Sequence, residues 1–241
     1  RWVRSHLPTR PEDGNKGTFG KVLVVGGSRR FIGAPQLAAT AAYRAGAGLV
    51  TLACPEGLVP AIAAGIAEAT WLPQGTAADG GLSERAAIDL RNEWRDYSAV
   101  VFGPGLGDSV DTRALTWAAL PDTGDAHRGV VVDADGLNAL ATLEDGPQRI
   151  PPAAILTPHP GEMARLMRMT VADVQARRLE TAKECAAKYG AVVVLKGAHS
   201  VIAAPDGRVS LSPFATPLLA TAGCGDVVAG IEGDRIPPHG Q

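Results

Sequence analysis

The chain has 241 residues, 46% hydrophobic and 20% charged, with a formal net charge of −2. That length fits one large domain or two small ones, and the apolar share can bury a sizeable core. The near-neutral balance argues against a nucleic-acid surface, and no apolar run approaches the ~20 residues of a membrane helix. Aromatics at 5% do not suggest a platform for stacked bases.

Residues 1–17 are basic and rich in Pro and Gly, with no apolar signal core, and read as a linker or N-terminal extension. A strand follows at 21–26 (KVLVVG), then an Ala-rich helix at 35–46 and a strand at 48–54. Helical patterns occupy 57–67 and 82–95, with 73–81 between them as a loop. A strand at 98–103 and a helix at 111–120 lead through a loop at 121–129 into the strand GVVVDADG. Further strands at 153–157 and 191–197 flank one long helix at 171–189. Continuous apolar strands alternating with helices predict an α/β fold, a mainly parallel sheet covered on both faces. Residues 199–212 break the rhythm, and Asp206-Gly207 marks a C-terminal β-hairpin addition. Cys54, Cys185 and Cys224 lie far apart and show neither metal nor disulfide spacing, which points to a reducing cytoplasm.

In open α/β sheets ligands bind beyond the carboxyl ends of the strands. Six strand ends carry glycine or hydrogen-bonding residues: Gly26-Gly27-Ser28, Gly103-Pro104-Gly105-Leu106-Gly107, Asp133-Ala134-Asp135, Thr157 to Glu162, Lys196-Gly197, and Gly223-Cys224-Gly225-Asp226. The Gly103 loop exposes backbone N–H groups to an anion or a ring, or is a tight turn; no Gly-Lys-Ser/Thr follows to make it a Walker loop. Gly223 to Asp226 opens a helix whose N–H groups suit phosphate. Asp226 is there either a base for an attacking hydroxyl or a helix N-cap. His159, between two prolines, is a ligand contact or a loop histidine, and Glu162 a charge favouring the helix dipole. Asp133 and Asp135 can hold magnesium, although Asp135 reads first as a cap. Lys196 neutralises phosphate or is a solvated end.

Taken together, GKVLVVGGS, VFGPGLG, VVDADGLNAL, ILTPHPGEMARL, VVVLKGAHSVIA and LLATAGCGDVVAGI resemble the ADP- or ATP-dependent NAD(P)H-hydrate dehydratases of the ribokinase-like superfamily. The resemblance covers residues 16–231 with the motifs in order. It implies a ribokinase-like dehydratase domain at 18–231, with 232–241 a truncated or discontinuous tail. It further implies repair of hydrated NADH and NADPH (NADHX and NADPHX): a nucleotide phosphorylates the ring hydroxyl, and phosphate elimination restores the cofactor. By the same resemblance Ala34, Gly107, His159 and Asp226 contact the hydrated cofactor. Lys196, Gly197, Ala198, His199, Ser200 and Gly225 hold the nucleotide, ADP or ATP with Mg2+, and Asp226 is the base. No metal ligand is assigned. A homo-oligomer, tetramer or larger, is expected, with neither nucleic acid nor membrane as partner. The opening RSHLPTRPEDGNKG resembles a linker after a fused epimerase domain.

The sequence departs from the family pattern at Asn15, at Phe31, at Cys224 and beyond Ile231. Two alternatives share the glycine turns: another small-alcohol kinase of the superfamily, and a catalytically silent nucleotide-binding module.

Overall fold

A computed structural model describes residues 11–120, 129–152, 154–215 and 221–235. Nine strands form its sheet: β1 (Lys21–Val25), β2 (Leu49–Pro55), β3 (Thr70–Gln74), β4 (Ala99–Phe102), β5 (Gly129–Val132), β6 (Ile155–Leu156), β7 (Val192–Leu195), β8 (Val201–Ala203) and β9 (Val209–Leu211). Their order is β3-β2-β1-β4-β5-β6-β7-β8-β9. Pairing is parallel from β3 to β7, then antiparallel through β8 and β9. The predicted parallel sheet and its C-terminal hairpin are therefore present, and Gly207 takes a φ of 89° in the hairpin turn.

Helices α1 (Gly33–Ala45) and α2 (Val59–Ala63) cover one face, and α9 (Cys224–Arg235) lies there against α1. The other face carries α3 (Ala86–Glu93), α4 (Val110–Ala119), α5 (Ala134–Thr142), α6 (Pro160–Met167), α7 (Val171–Ala176) and α8 (Arg178–Tyr189). Alternate residues of β1 feed opposite cores: Leu23 and Val25 pack with Phe102 and Leu137, whereas Val22 and Val24 pack with Ala38 and Ala229. Burying each such side chain contributes about 1.5–3 kcal/mol. This explains why the central strands read as unbroken apolar runs.

Several expectations are corrected. Part of 73–81, read as loop, belongs to β3; Pro73 and a half-exposed pattern mask an edge strand, a position where a sheet tolerates proline. The helix at 57–67 is a 3-10 turn plus the five residues of α2. The long helix at 171–189 breaks at Arg177, whose φ of −135° is not helical. Across residue 231, α9 continues to Arg235. Gly230 lies directly over the Ala38 carbonyl and Gly233 over Val22 and Val101, approaches a Cβ would block. Most of the predicted loop at 121–129 and most of residues 1–17 lie outside the described residues, while Lys16 packs its backbone against Gly48.

Candidate active site

A staggered chain of backbone hydrogen bonds sets the strand ends side by side. Gly26 N–H donates to Ala53 O, Gly103 to Val25 O, Asp133 to Phe102 O, Thr157 to Val132 O, and Lys196 to Pro158 O. Each loop is thus pinned to its neighbour, and the motifs that follow the strands share one rim.

At the centre of that rim, Lys196 Nζ lies 2.7 Å from Asp133 Oδ1 and 3.9 Å from Glu162 Oε2. Asp133 is buried, and its Oδ2 has no hydrogen-bond partner among the described residues. Gly225 sits over this pair: a Cβ there would stand 3.1 Å from Lys196 Nζ and 3.6 Å from Asp133 Oδ2. The first turn of α9 therefore lies against an ammonium and a carboxylate.

Asp226 is the third residue of α9, inside the helix rather than before it, which corrects its reading as an N-cap. Burial, then the neighbouring Asp133 carboxylate, push its pKa up to about 6, while Lys196 pulls it down. A carboxylate tuned towards neutrality beside a cation is suited to accepting a proton.

His159 is the N-cap of α6. Its Nδ1 accepts from Gly161 N–H at 2.9 Å and Glu162 N–H at 3.3 Å, and Glu162 Oε2 accepts the His159 N–H at 2.7 Å. Glu162 is thus a buried member of a reciprocal cap, not merely a charge on a helix end. Burial raises its pKa to about 7, against the pull of Lys196 and the His159 N–H. The spacing His-Pro-Gly-Glu carried this signal, in a motif more familiar with Ser or Thr at its first position.

Asp135 does not cap α5, whose N-cap is Asp133. Instead Asp135 Oδ2 accepts the Gly107 N–H at 2.8 Å, and Asn138 connects Asp135 to Arg165 at 3.3 and 3.0 Å. Gly107 is thereby tied to α6, and nothing in the sequence spacing revealed it. Ala34 opens α1 beside Gly105, where a Cβ would come within 3.1 Å of its own.

The segment from Gly197 to Ser200 leaves the rim. Ser200 Oγ donates to Gly197 O, His199 N–H donates to Phe214 O, and His199 Nδ1 lies 3.2 Å from Ser212 O. Neither His199 nor Ser200 has a contact with the carboxylate cluster among the described interactions. Arg178, unremarked in the sequence, supports this loop from α8 by donating to Leu195 O and Lys196 O at 3.2 and 3.3 Å. Ala134 and His199 take positive φ of 48° and 51°, an uncommon backbone region for such residues.

Among the described residues no three His, Cys, Asp or Glu side chains gather as a metal cage. Magnesium does not need one, since it takes one or two carboxylates plus phosphates and water. The unpartnered Asp133 Oδ2 fits that role. Among the described residues no helix is long and apolar enough to cross a membrane.

The sequence model for NAD(P)H-hydrate dehydratase matches residues 22–233. The chain belongs to the NAD(P)H-hydrate dehydratase family. It is 44% identical to the bifunctional NAD(P)H-hydrate repair enzyme Nnr of Moorella thermoacetica, over 98% of this chain and 45% of that protein. The chain thus spans less than half of that relative. The ADP/ATP-dependent NAD(P)H-hydrate dehydratase of Bacillus subtilis, co-crystallised with ATP and Mg2+, superposes with a TM-score of 0.82 at 36% identity, over 99% of this chain and 80% of that one. A ribokinase-like superfamily protein of Enterococcus faecalis shares the fold, with a TM-score of 0.77 at 24% identity over 94% of this chain and 74% of that one. The fold of the described residues is therefore ribokinase-like, a parallel sheet with a C-terminal hairpin.

Proposed function

We propose that this domain dehydrates hydrated NADH and NADPH with ADP or ATP, restoring the reduced cofactors. The observation that carries the reading is Asp226, raised towards neutrality at the start of α9 and next to the Lys196–Asp133 pair. In the first step the ring hydroxyl attacks the terminal phosphoryl group of the nucleotide. Asp226 accepts the hydroxyl proton, and the shortened nucleotide leaves. In the second step the C–O bond to the new phosphate breaks, a proton leaves the adjacent ring carbon, and the ring double bond forms. Orthophosphate and NAD(P)H are the products.

Lys196, Gly197, Ala198, His199, Ser200 and Gly225 are assigned to the nucleotide, and Ala34, Gly107, His159 and Asp226 to the hydrated cofactor. Lys196 and the α9 N–H groups stabilise charge on the transferring phosphoryl. Asp133 would hold Mg2+, which when bound neutralises phosphate charge. A homo-oligomer in the cytoplasm is part of the same proposal. So is a second repair activity on the same polypeptide, expected above as an upstream epimerase and supported by the bifunctional relative.

The test is incubation of chemically prepared NADHX with ADP or ATP and Mg2+, following the NADH absorption band and orthophosphate together. Their equal release is expected. A stable phosphate ester without NADH would assign a small-alcohol kinase instead, and nucleotide binding without turnover a silent module.

A further inference from the structure

His159 and Asp226 stand on one rim, and both belong to residue types that can accept a proton. The cap of α6 separates their roles. The Nδ1 lone pair is already engaged by two backbone donors, Gly161 N–H and Glu162 N–H. A proton on Nδ1, in the other neutral tautomer or in imidazolium, would face those N–H groups and give up the cap. The neutral ring must then carry its proton on Nε2. Glu162 closes the arrangement from the other side: one carboxylate oxygen holds the His159 N–H, and the other lies 3.2 Å from Nε2.

We propose that the reciprocal cap between His159 and Glu162 locks the His159 imidazole as the neutral, Nε2-protonated tautomer. The ring then presents Nε2–H to Glu162 Oε1 and the rim, and has no free lone pair with which to take a proton from the substrate. Glu162 is the positioning residue. This deepens the preceding reading and rests on it for the identity of the substrate. The His159 side chain is 51% exposed on the rim. Charges face it from every side of the rim: Lys196 after β7, Arg165 and Glu162 on α6, and Asp133 after β5. Burial, Lys196 and Arg165 hold its pKa below 6.5, and Asp133 opposes them. The sum of these influences favours the uncharged ring.

The tautomer can be read without turnover. Long-range 1H–15N spectra of the histidine-labelled full chain, with His159→Gln to identify the resonances, should show Nε2–H alone between about pH 6 and 8. A His159 Nδ1–H form, an even mixture, or imidazolium at neutral pH would overturn the proposal. Glu162→Gln keeps one capping oxygen but turns an amide NH2 on either the His159 N–H or Nε2–H, so it should mix the tautomers and raise KM for the hydrated cofactor. Glu162→Ala should mix the tautomers and raise that KM by about tenfold, the worth of one hydrogen bond, at saturating nucleotide. An unmixed tautomer in a folded Glu162→Ala protein would remove Glu162 from the positioning role. Should that variant not fold, the wild-type and Glu162→Gln spectra still decide. A locked ring in a protein that leaves NADHX unchanged would refute the dehydratase reading while this inference stands.

Discussion

Lys196 Nζ rests 2.7 Å from Asp133 Oδ1, although the two residues are separated by 63 positions and sit at the ends of different strands. Asp133 is 1% exposed and Lys196 is 19% exposed. The pair therefore behaves as a buried ion pair, in which loss of one partner leaves the other charge uncompensated.

Lys196→Met should accordingly destabilise the protein by about 3–5 kcal/mol as well as abolish nucleotide binding. Lys196→Met with Asp133→Asn should recover much of the stability, because the stranded charge is gone, but none of the affinity. Chemical denaturation and calorimetric nucleotide titration of the two proteins give both answers. Equal destabilisation in the single and double variants would show that the pair is not what holds Lys196.

Asp226→Asn should lower turnover by about 10²–10⁴-fold if the carboxylate takes the hydroxyl proton. Stability should move the other way. A carboxyl raised from 3.8 to about 6 binds more protons when folded across that interval, so the wild type loses stability as pH climbs through it. The variant lacks that loss. It should melt higher than wild type above about pH 6, with the advantage vanishing below about pH 4. The acid limb of kcat/KM should fall near pH 6 in the wild type. Near-wild-type turnover in Asp226→Asn would falsify the assignment.

Gly225→Val would push a branched side chain into the space above Lys196 Nζ and Asp133 Oδ2. Nucleotide affinity should drop by at least about tenfold, more than one hydrogen bond's worth, while the melting temperature changes little. Unchanged binding of both ADP and ATP would place the phosphate site elsewhere.

Gly230→Ala tests the seating of α9. In an open helix this change stabilises by about 0.5–1 kcal/mol. Here the added methyl overlaps the Ala38 carbonyl, and overpacking of this kind costs about 1–3 kcal/mol. The steric cost wins, so the variant should be less stable and less active, since Gly225 and Asp226 ride on the same helix. A stabilised Gly230→Ala protein would show that α9 is free to lift.

The elements that the sequence made plain are those whose reason is local. β1, β4 and β5 bury residues on both sides, so their apolar runs are visible without any tertiary knowledge. The glycine turn before α9 likewise carries its own signal. β3 was hidden because its edge position permits Pro73 and polar residues. The break at Arg177 was hidden for another reason. Its neighbour Arg178 donates to carbonyls of Leu195 and Lys196, which are distant in sequence. The same limit applies to Asp135: its partner Gly107 lies 28 residues upstream, and only the folded rim makes them neighbours. The dependence of Lys196 on Asp133 could be named as two candidates but not as a pair.

The helix that carries Gly225 and Asp226 is the last described element of the chain, yet it is seated on some of the earliest. Gly230 meets Ala38 of α1, and Gly233 meets Val22 of β1 and Val101 of β4. Contacts of such long sequence separation close late and slowly during folding. A nascent chain can thus complete its central strands and its Lys196 loop while Asp226 is still unplaced. Activity then becomes a reporter of finished folding: recovery of turnover after dilution from denaturant should lag behind recovery of sheet structure.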